Sequence, residues 1–285
     1  MKNKITKEHS HKYLVFKKLC SNKLLLIFGI LTIVIVIAGI LAPVVSPYSP
    51  YDMQTSLRLK APSAAHWFGT DTYGRDVLTR VLYGIRMSLV VGILTAVIST
   101  VIGIILGLLA GYFNWLDTII MRISEAMSTI PVFLMAVTLM TILGISTKNV
   151  IISMSIVYIP LVVTVTRGVA LQVREQTYIE AIRSIGAKWP RILFRHMMPN
   201  VLSPVIVQAT YIFASSMLVE AALSFLSCGI PLPAPSLGNI LSEARTVIFS
   251  SWWLVTFPGI CLIIVILGIN ILGDALRDLM DPLSN

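Results

Sequence analysis

An acid set inside an apolar run is the first feature of this 285-residue chain that could do chemistry: Glu220, in SSMLVEAALSFL, residues 215–226. A carboxylate in such a place either lies on a route for protons or cations or accepts hydrogen bonds from Ser and Thr on a neighbouring helix, and residue type alone leaves both open. A second group, Asn270, Asp274, Arg277 and Asp278, repeats at helical spacing at the end of the last apolar run. It reads as an ion-pair cluster anchoring that end. The third is the most charged interruption of the apolar sequence, YIEAIRSIGAKWPRILFRHMMPN, Tyr178 to Asn200. It holds Arg183, Lys188, Arg191 and Arg195, one acid, one histidine, a central Gly186, and Pro190 and Pro199. These residues suit either a helix lying on a membrane surface or a shaped element made to fit another protein.

Equally informative are the sites that are missing. No GxxxxGK[ST] phosphate loop occurs, so the chain is not expected to hydrolyse ATP itself. Proton- and ion-driven carriers use several buried acids or histidines, whereas Glu220 alone falls clearly within an apolar run. Energy for any transport must then come from a partner. Cys20, Cys228 and Cys261 lack metal-ligand spacing and His9, His11 and His66 are scattered, so no metal site and no cofactor is expected in this chain.

These residues are carried by a chain that is 56% hydrophobic and only 12% charged, against about 25% charged residues in soluble domains. Charge-free windows predict spans at Leu24 to Val45, Met87 to Phe113, Ala126 to Thr147, Asn149 to Thr166, Val201 to Val219 and Leu254 to Gly273. Each is near the roughly 20 residues that cross about 30 Å of hydrocarbon as a helix. Continuous runs such as ILTIVIVIAGIL do not fit the alternating strands of a barrel. The fold class is all-α membrane protein, with six transmembrane helices. The first run is longer than the core of a secretory signal and reads as a retained span.

With the N-terminus inside, 15 Lys and Arg fall on the cytoplasmic side and 7 outside. This bias places both termini in the cytoplasm of a bacterial-type cell membrane. The net charge of +9 is then the ordinary inside excess and calls for no nucleic acid. From about Arg75, the spacing of Val77, Val81 and Ile85 predicts a helix along the outer surface that feeds the second span, with Asp76 and Arg80 on another face. Gly103, Gly107 and Gly111 predict close backbone approach, within this bundle or in a dimer. Asp117, Arg122 and Glu125 fall on an inner elbow before the third span, and Trp252 and Trp253 read as interfacial anchors. The chain divides into residues 1–85 (inner tail, first span and outer loop), residues 86–280 (the remaining bundle) and a tail, 281–285.

Within the charged interruption, Tyr178, Ile182, Ile185 and Trp189 form an apolar stripe, and Glu180, Arg183, Ser184 and Lys188 another face. Gly186 costs about 1 kcal/mol inside a helix, so the helix ends or turns there, or another surface comes close to its backbone. Trp189-Pro190 favours a break. The segment therefore reads as a short helix, a bend, and a second basic helix leading to Pro199.

EAIRSIGAKWPRILFRHMMP resembles the EAA signature of the permease subunits of binding-protein-dependent ABC importers. The matching positions are Glu180, Ala181, Gly186 and Pro199, with Ile182 in place of a second alanine and Met198 in place of leucine. The resemblance extends in order to FGTDTYGRDVLTRVLYGIRMSL, GYFNWLDTIIMRISEAMSTIP, VEAALSFLSCGIPLPAPSLGN and LGDALRDLMDP, and nearly the whole chain is similar to the C-type permease of dipeptide, oligopeptide and nickel importers. Where that family usually reads Leu-Gly-Leu-Gly and Ser-Trp-Gly, this chain has Leu226-Ser227-Cys228-Gly229 and Ser236-Leu237-Gly238.

The resemblance implies a type I ABC importer permease fold and a coupling helix near residues 178–189, with Tyr178, Glu180, Ala181, Arg183, Gly186 and Pro199 at the ATPase. It also implies partners: a homologous second permease, two ATP-binding subunits that hold ATP and Mg, and an external solute-binding protein. Peptides are the expected solute, with nickel or a metal chelate as the alternative; a stand-alone channel or secondary carrier is the reading from another class.

Overall fold

The computed structural model describes residues 23–280. The basic tail with His9, His11 and Cys20 and the tail 281–285 lie outside the described residues, as do the side chains of Arg277 and Asp278. The order is α1 (Lys23–Ile40), α2 (Val77–Tyr112), α3 (Asn114–Ser128), α4 (Val132–Leu143), α5 (Thr147–Arg174), α6 (Thr177–Ser184), α7 (Met198–Phe225), α8 (Leu237–Ala244) and α9 (Trp253–Met280). Among the described residues there is no strand, only an isolated bridge between Thr70 and Asp76. Helices are the expected solution where no water can satisfy backbone groups.

Among the described residues, four helices are long and apolar enough to cross a membrane: Val77–Tyr112, Thr147–Arg174, Trp189–Phe225 and Trp253–Ala275. The pair α3 and α4 meets the same test together but is bent by 96°, and Leu26–Ile40 is apolar and shorter. Several expected boundaries are corrected. The helix predicted along the outer surface is the first part of α2 itself, a single helix of 36 residues. Asp76 caps it by accepting from Thr79 N at 2.8 Å, and Val77, Val81 and Ile85 face the core. The third predicted span is interrupted at residues 129–131, because Pro131 pushes Ile130 out of the helical region.

After α6 the expected bend and second basic helix are present, the bend at residues 185–188. Pro190 sits in the first turn of a new helix, where its missing N–H is harmless. From Trp189 the chain then runs unbroken to Phe225. Pro199 lies inside that run, just after a π-helical turn, Ile192–Met197. The wider turn relieves the crowding that a proline ring imposes on the preceding carbonyls.

α2 is the central helix, and its glycines form a seam with α5. A Cβ on Gly103 would stand 2.4 Å from Val162 Cβ, one on Gly107 2.5 Å from Thr166 Cβ, and one on Gly111 2.5 Å from Ala170 Cβ. The glycine spacing therefore packs α2 against α5 within this chain. Three buried clusters follow the bundle. One, with Val81, Met217, Leu237 and Trp253, joins α2, α7, α8 and α9 at the end carrying the long loops. A middle cluster with Met140, Tyr158 and Ile212 adds α4 and α5. The third, around Leu108, Ile179 and Met197, lies at the opposite end.

Candidate functional site

The residues of the EAA-like segment come together at the end opposite the long loops. α6 carries Glu180 in its first turn and Arg183 in its last, each complementing the helix dipole. Its stop is built by Gly186, whose φ is +85°. Gly186 N donates to Arg183 O at 3.0 Å and Ala187 N to Ile182 O at 3.3 Å, the paired bonds of a left-handed helix stop. A Cβ on Gly186 would meet nothing within 4 Å, so within this chain the glycine serves the turn and not a close approach.

One side chain seats this helix. Ile179 is 2% exposed and packs with Leu108 of α2, Ala170 and Val173 of α5, and Leu193 and Met197 before α7. The predicted stripe of Tyr178, Ile182, Ile185 and Trp189 is corrected accordingly. The helix ends at Ser184, Ile182 is half-buried, and Tyr178, Ile185 (83%) and Trp189 are exposed. A helical wheel extended past the glycine could not find Ile179, which lies one residue off the stripe. Tyr178, Glu180, Ala181, Arg183, Gly186 and Pro199 are all exposed. Asn200 Nδ2 donates to His196 O at 2.7 Å and to Tyr178 Oη at 3.4 Å, linking the two ends of the segment.

Beside α6 opens a cleft of roughly 730 Å³ lined by Tyr112, Asn114, Trp115, Arg174 and Glu180. Arg183 lies over the Tyr112 ring at 5.2 Å, Trp189 meets Phe113 edge-on at 5.7 Å, and Arg174 Nη1 donates to Asn114 Oδ1 at 2.9 Å. Arg167 holds Asp117 through both guanidinium edges, with Nη2 to Oδ2 at 2.7 Å, and so ties α5 to α3.

Glu220 lies at the other end of α7, fully buried. Ser88 Oγ of α2 donates to its Oε2 at 2.7 Å and Ser224 Oγ to its Oε1 at 2.8 Å. Ser224 Oγ accepts from Ile230 N at 3.1 Å, and Ser236 Oγ caps α8 by accepting from Asn239 N at 3.1 Å. α8 is drawn tight against this point: a Cβ on Gly238 would stand 2.2 Å from Ala221 O.

A second buried polar group was not foreseen. Arg75 Nε and Arg80 Nη1 both reach Asp71 Oδ2, at 2.7 and 2.6 Å, and both arginines reach Glu243 Oε2, at 2.7 and 2.6 Å. Asp71, Arg75 and Arg80 are at most 2% exposed. This neutral tetrad ties the loop before α2 to α8. Nearby, His66 Nδ1 lies 2.9 Å from Asp76 Oδ1, and Trp253 Nε1 donates to Thr70 O at 3.2 Å. Trp253 is therefore a buried strut and not the interfacial anchor expected of it, while Trp252 remains exposed.

A fold of this kind, with an exposed short helix seated on the ends of long apolar ones, can be compared with known proteins. Residues 99–284 match the model of the binding-protein-dependent transport system inner membrane component family. The chain belongs to that family. Residues 13–62 match the N-terminal TM domain of oligopeptide transport permease C, in keeping with the C-type resemblance. The chain is 42% identical over 268 residues to the dipeptide transport system permease protein DppC of Alkalihalophilus pseudofirmus, covering 94% of this chain and 88% of that protein. It is 39% identical over 257 residues to the di/tripeptide transport system permease protein DppC of Pseudomonas aeruginosa, covering 88% and 85%. Its fold is similar to a chain of the MetNI methionine ABC transporter in an inward-facing form, with a TM-score of 0.60, 19% identity, and 72% of this chain and 97% of that chain covered. As a permease subunit of the membrane, the family member is not an enzyme.

Proposed function

We propose that this chain is one of two permease subunits of an ATP-driven importer of peptides, lining half of the translocation pathway, in the type I arrangement. Six spans are supplied by α1, α2, the bent pair α3 and α4, α5, α7 with its lead-in, and α9, and both termini are cytoplasmic. Residues 86–280 form the permease bundle proper, although α2 runs through residue 86 and joins it to the preceding loop. Its partners are a homologous permease, two cytoplasmic subunits that bind ATP and Mg, and an external solute-binding protein.

The observation that carries this reading is α6: Ile179 fixes it to three helices, while its polar side chains are exposed and available to a partner. In this role Tyr178, Glu180, Ala181 and Arg183 meet the ATPase subunit, Gly186 ends the contact helix, and Pro199 marks its return to the membrane. A rigid short helix transmits the rigid-body motion that alternating access requires. The test is uptake by reconstituted vesicles. Dipeptide should enter only with the partner permease, the binding protein, the ATPases and ATP present. Solute movement by this chain alone would instead establish a channel or carrier, and competition by nickel complexes but not dipeptides would reassign the solute.

Gly186 offers a finer test of coupling. At φ +85° a β-branched side chain is strained by about 1–2 kcal/mol. Gly186→Val should keep its level in the membrane, lose uptake by about fivefold or more, and leave ATP hydrolysis running. Gly186→Asn, which tolerates this conformation, should restore uptake; if it does not, the ATPase approaches the backbone too closely for any side chain.

Glu220 we assign to structure, as the acceptor that joins α2 to α7 where α8 packs against them. Glu220→Gln keeps an acceptor and should transport normally. Glu220→Leu leaves hydroxyls unpaired at about 1–3 kcal/mol each and should lower the amount of assembled protein. Loss of uptake by Glu220→Gln at normal protein level would point to a charge in the pathway.

A further inference from the structure

A groove of roughly 490 Å³ runs along the outside of the bundle between α1 and α2. Ile33, Ile37 and Ile40 line it from α1, Val90 and Ile93 from α2, and Phe213 of α7 closes its back. Gly92 lets that ring in: a Cβ there would stand 2.7 Å from it. The walls are thus apolar apart from Thr32, whose hydroxyl donates to Ile264 O at 2.9 Å, and a single charged residue at the rim.

That charge is Arg86. It is exposed, and among the described residues no carboxylate pairs with it, whereas Arg75, Arg80 and Arg167 are all matched by acids. A Cβ on Gly39 would lie 3.5 Å from Arg86 N, so the guanidinium starts level with the last turn of α1. From there the groove descends along α2 to Ile93, a helical rise of about 10 Å. One cation therefore stands where the helices leave the hydrocarbon, above an apolar slot.

We propose that this groove holds one acyl chain of a bilayer phospholipid whose phosphate pairs with Arg86. The proposal rests only on the chain's place in a membrane and not on the solute it carries. Arg86 can extend its apolar stem along the groove while its head reaches the phosphate level, and phosphate is the planar fork's natural partner. A helix of the second permease is the other candidate cover. It would have to bury the guanidinium unpaired, at a heavy desolvation cost, or bring its own carboxylate to the rim.

The assembled transporter, purified in mild detergent and stripped of lipid, can be titrated with phosphatidylglycerol and followed by native mass spectrometry. Wild type should retain one more bound phosphatidylglycerol than Val90→Trp, which fills the groove. Arg86→Gln should need about tenfold more lipid to occupy the same site. Both positions are exposed on the outside of the bundle, so neither change disturbs the core. Equal lipid counts and affinities in all three proteins would overturn the proposal. So would efficient disulfide formation between Ile37→Cys and a cysteine on the second permease, which would put protein in the groove.

Discussion

Asp71→Asn should lower the amount of folded protein in the membrane more than any change to the α6 surface. Asp71 Oδ2 is shared by Arg75 and Arg80, both buried, and its Oδ1 also accepts from Tyr73 N at 2.8 Å and Arg75 N at 3.0 Å. Removing the charge leaves two guanidinium groups facing Glu243 alone. Breaking a buried ion pair from one side costs about 3–5 kcal/mol; the partial exposure of Glu243 places the effect near the lower figure, about 3 kcal/mol. Thermal unfolding of the detergent-solubilised protein, read by fluorescence-detected size exclusion, should show a clear drop. The fourfold change Asp71→Leu, Arg75→Leu, Arg80→Met, Glu243→Leu removes the charges together and should recover part of the loss. If Asp71→Asn unfolds at the wild-type temperature, the tetrad is not holding the loop to α8.

Gly107→Leu should be comparably severe, for a steric reason. The first added carbon would stand 2.5 Å from Thr166 Cβ and 2.9 Å from Val163 O, the latter on backbone that cannot swing away. The helices must separate, and the Gly103 and Gly111 contacts open with them. Overpacking in a close-packed interior costs about 1–3 kcal/mol at one site, and a whole seam should reach the top of that range. Gly168→Leu, on the same partner helix but with nothing within 4 Å of its Cβ, is the control. Equal levels of the two variants in the membrane would remove the seam from the account of stability.

Local patterns were legible in the sequence where one stretch carried both the cause and the effect. The charge-free runs located the long helices, the four-residue glycine spacing marked α2 as closely packed without naming α5 as its partner, and Gly186 marked the end or turn of a short helix. Patterns that depend on distant partners were not. Arg80 and Glu243 are 163 residues apart, and Arg80 read alone joined Asp76 on another face of a surface helix. Ile179 was missed because the stripe was extended across a glycine that ends the helix. The break read at Trp189-Pro190 falls just before it, at residues 185–188, because Pro190 opens the next helix. Pro131 was underread, and it divides the third span. The cleft beside α6 had no sequence signal, because Asn114 and Arg174 meet across 60 residues.

The unbroken run from Trp189 to Phe225 has a mechanical meaning. Its 37 residues form a connecting rod about 55 Å long. The rod begins beside the helix that Ile179 pins in place and ends in the hydroxyl-lined seat of Glu220, under the loop that leads to α8. In the proposed coupling role, a stroke delivered at Trp189 would travel to Glu220 along one continuous helix, with the π-helical turn Ile192–Met197 and Pro204 as its points of give, and the 96° elbow between α3 and α4 as a further one.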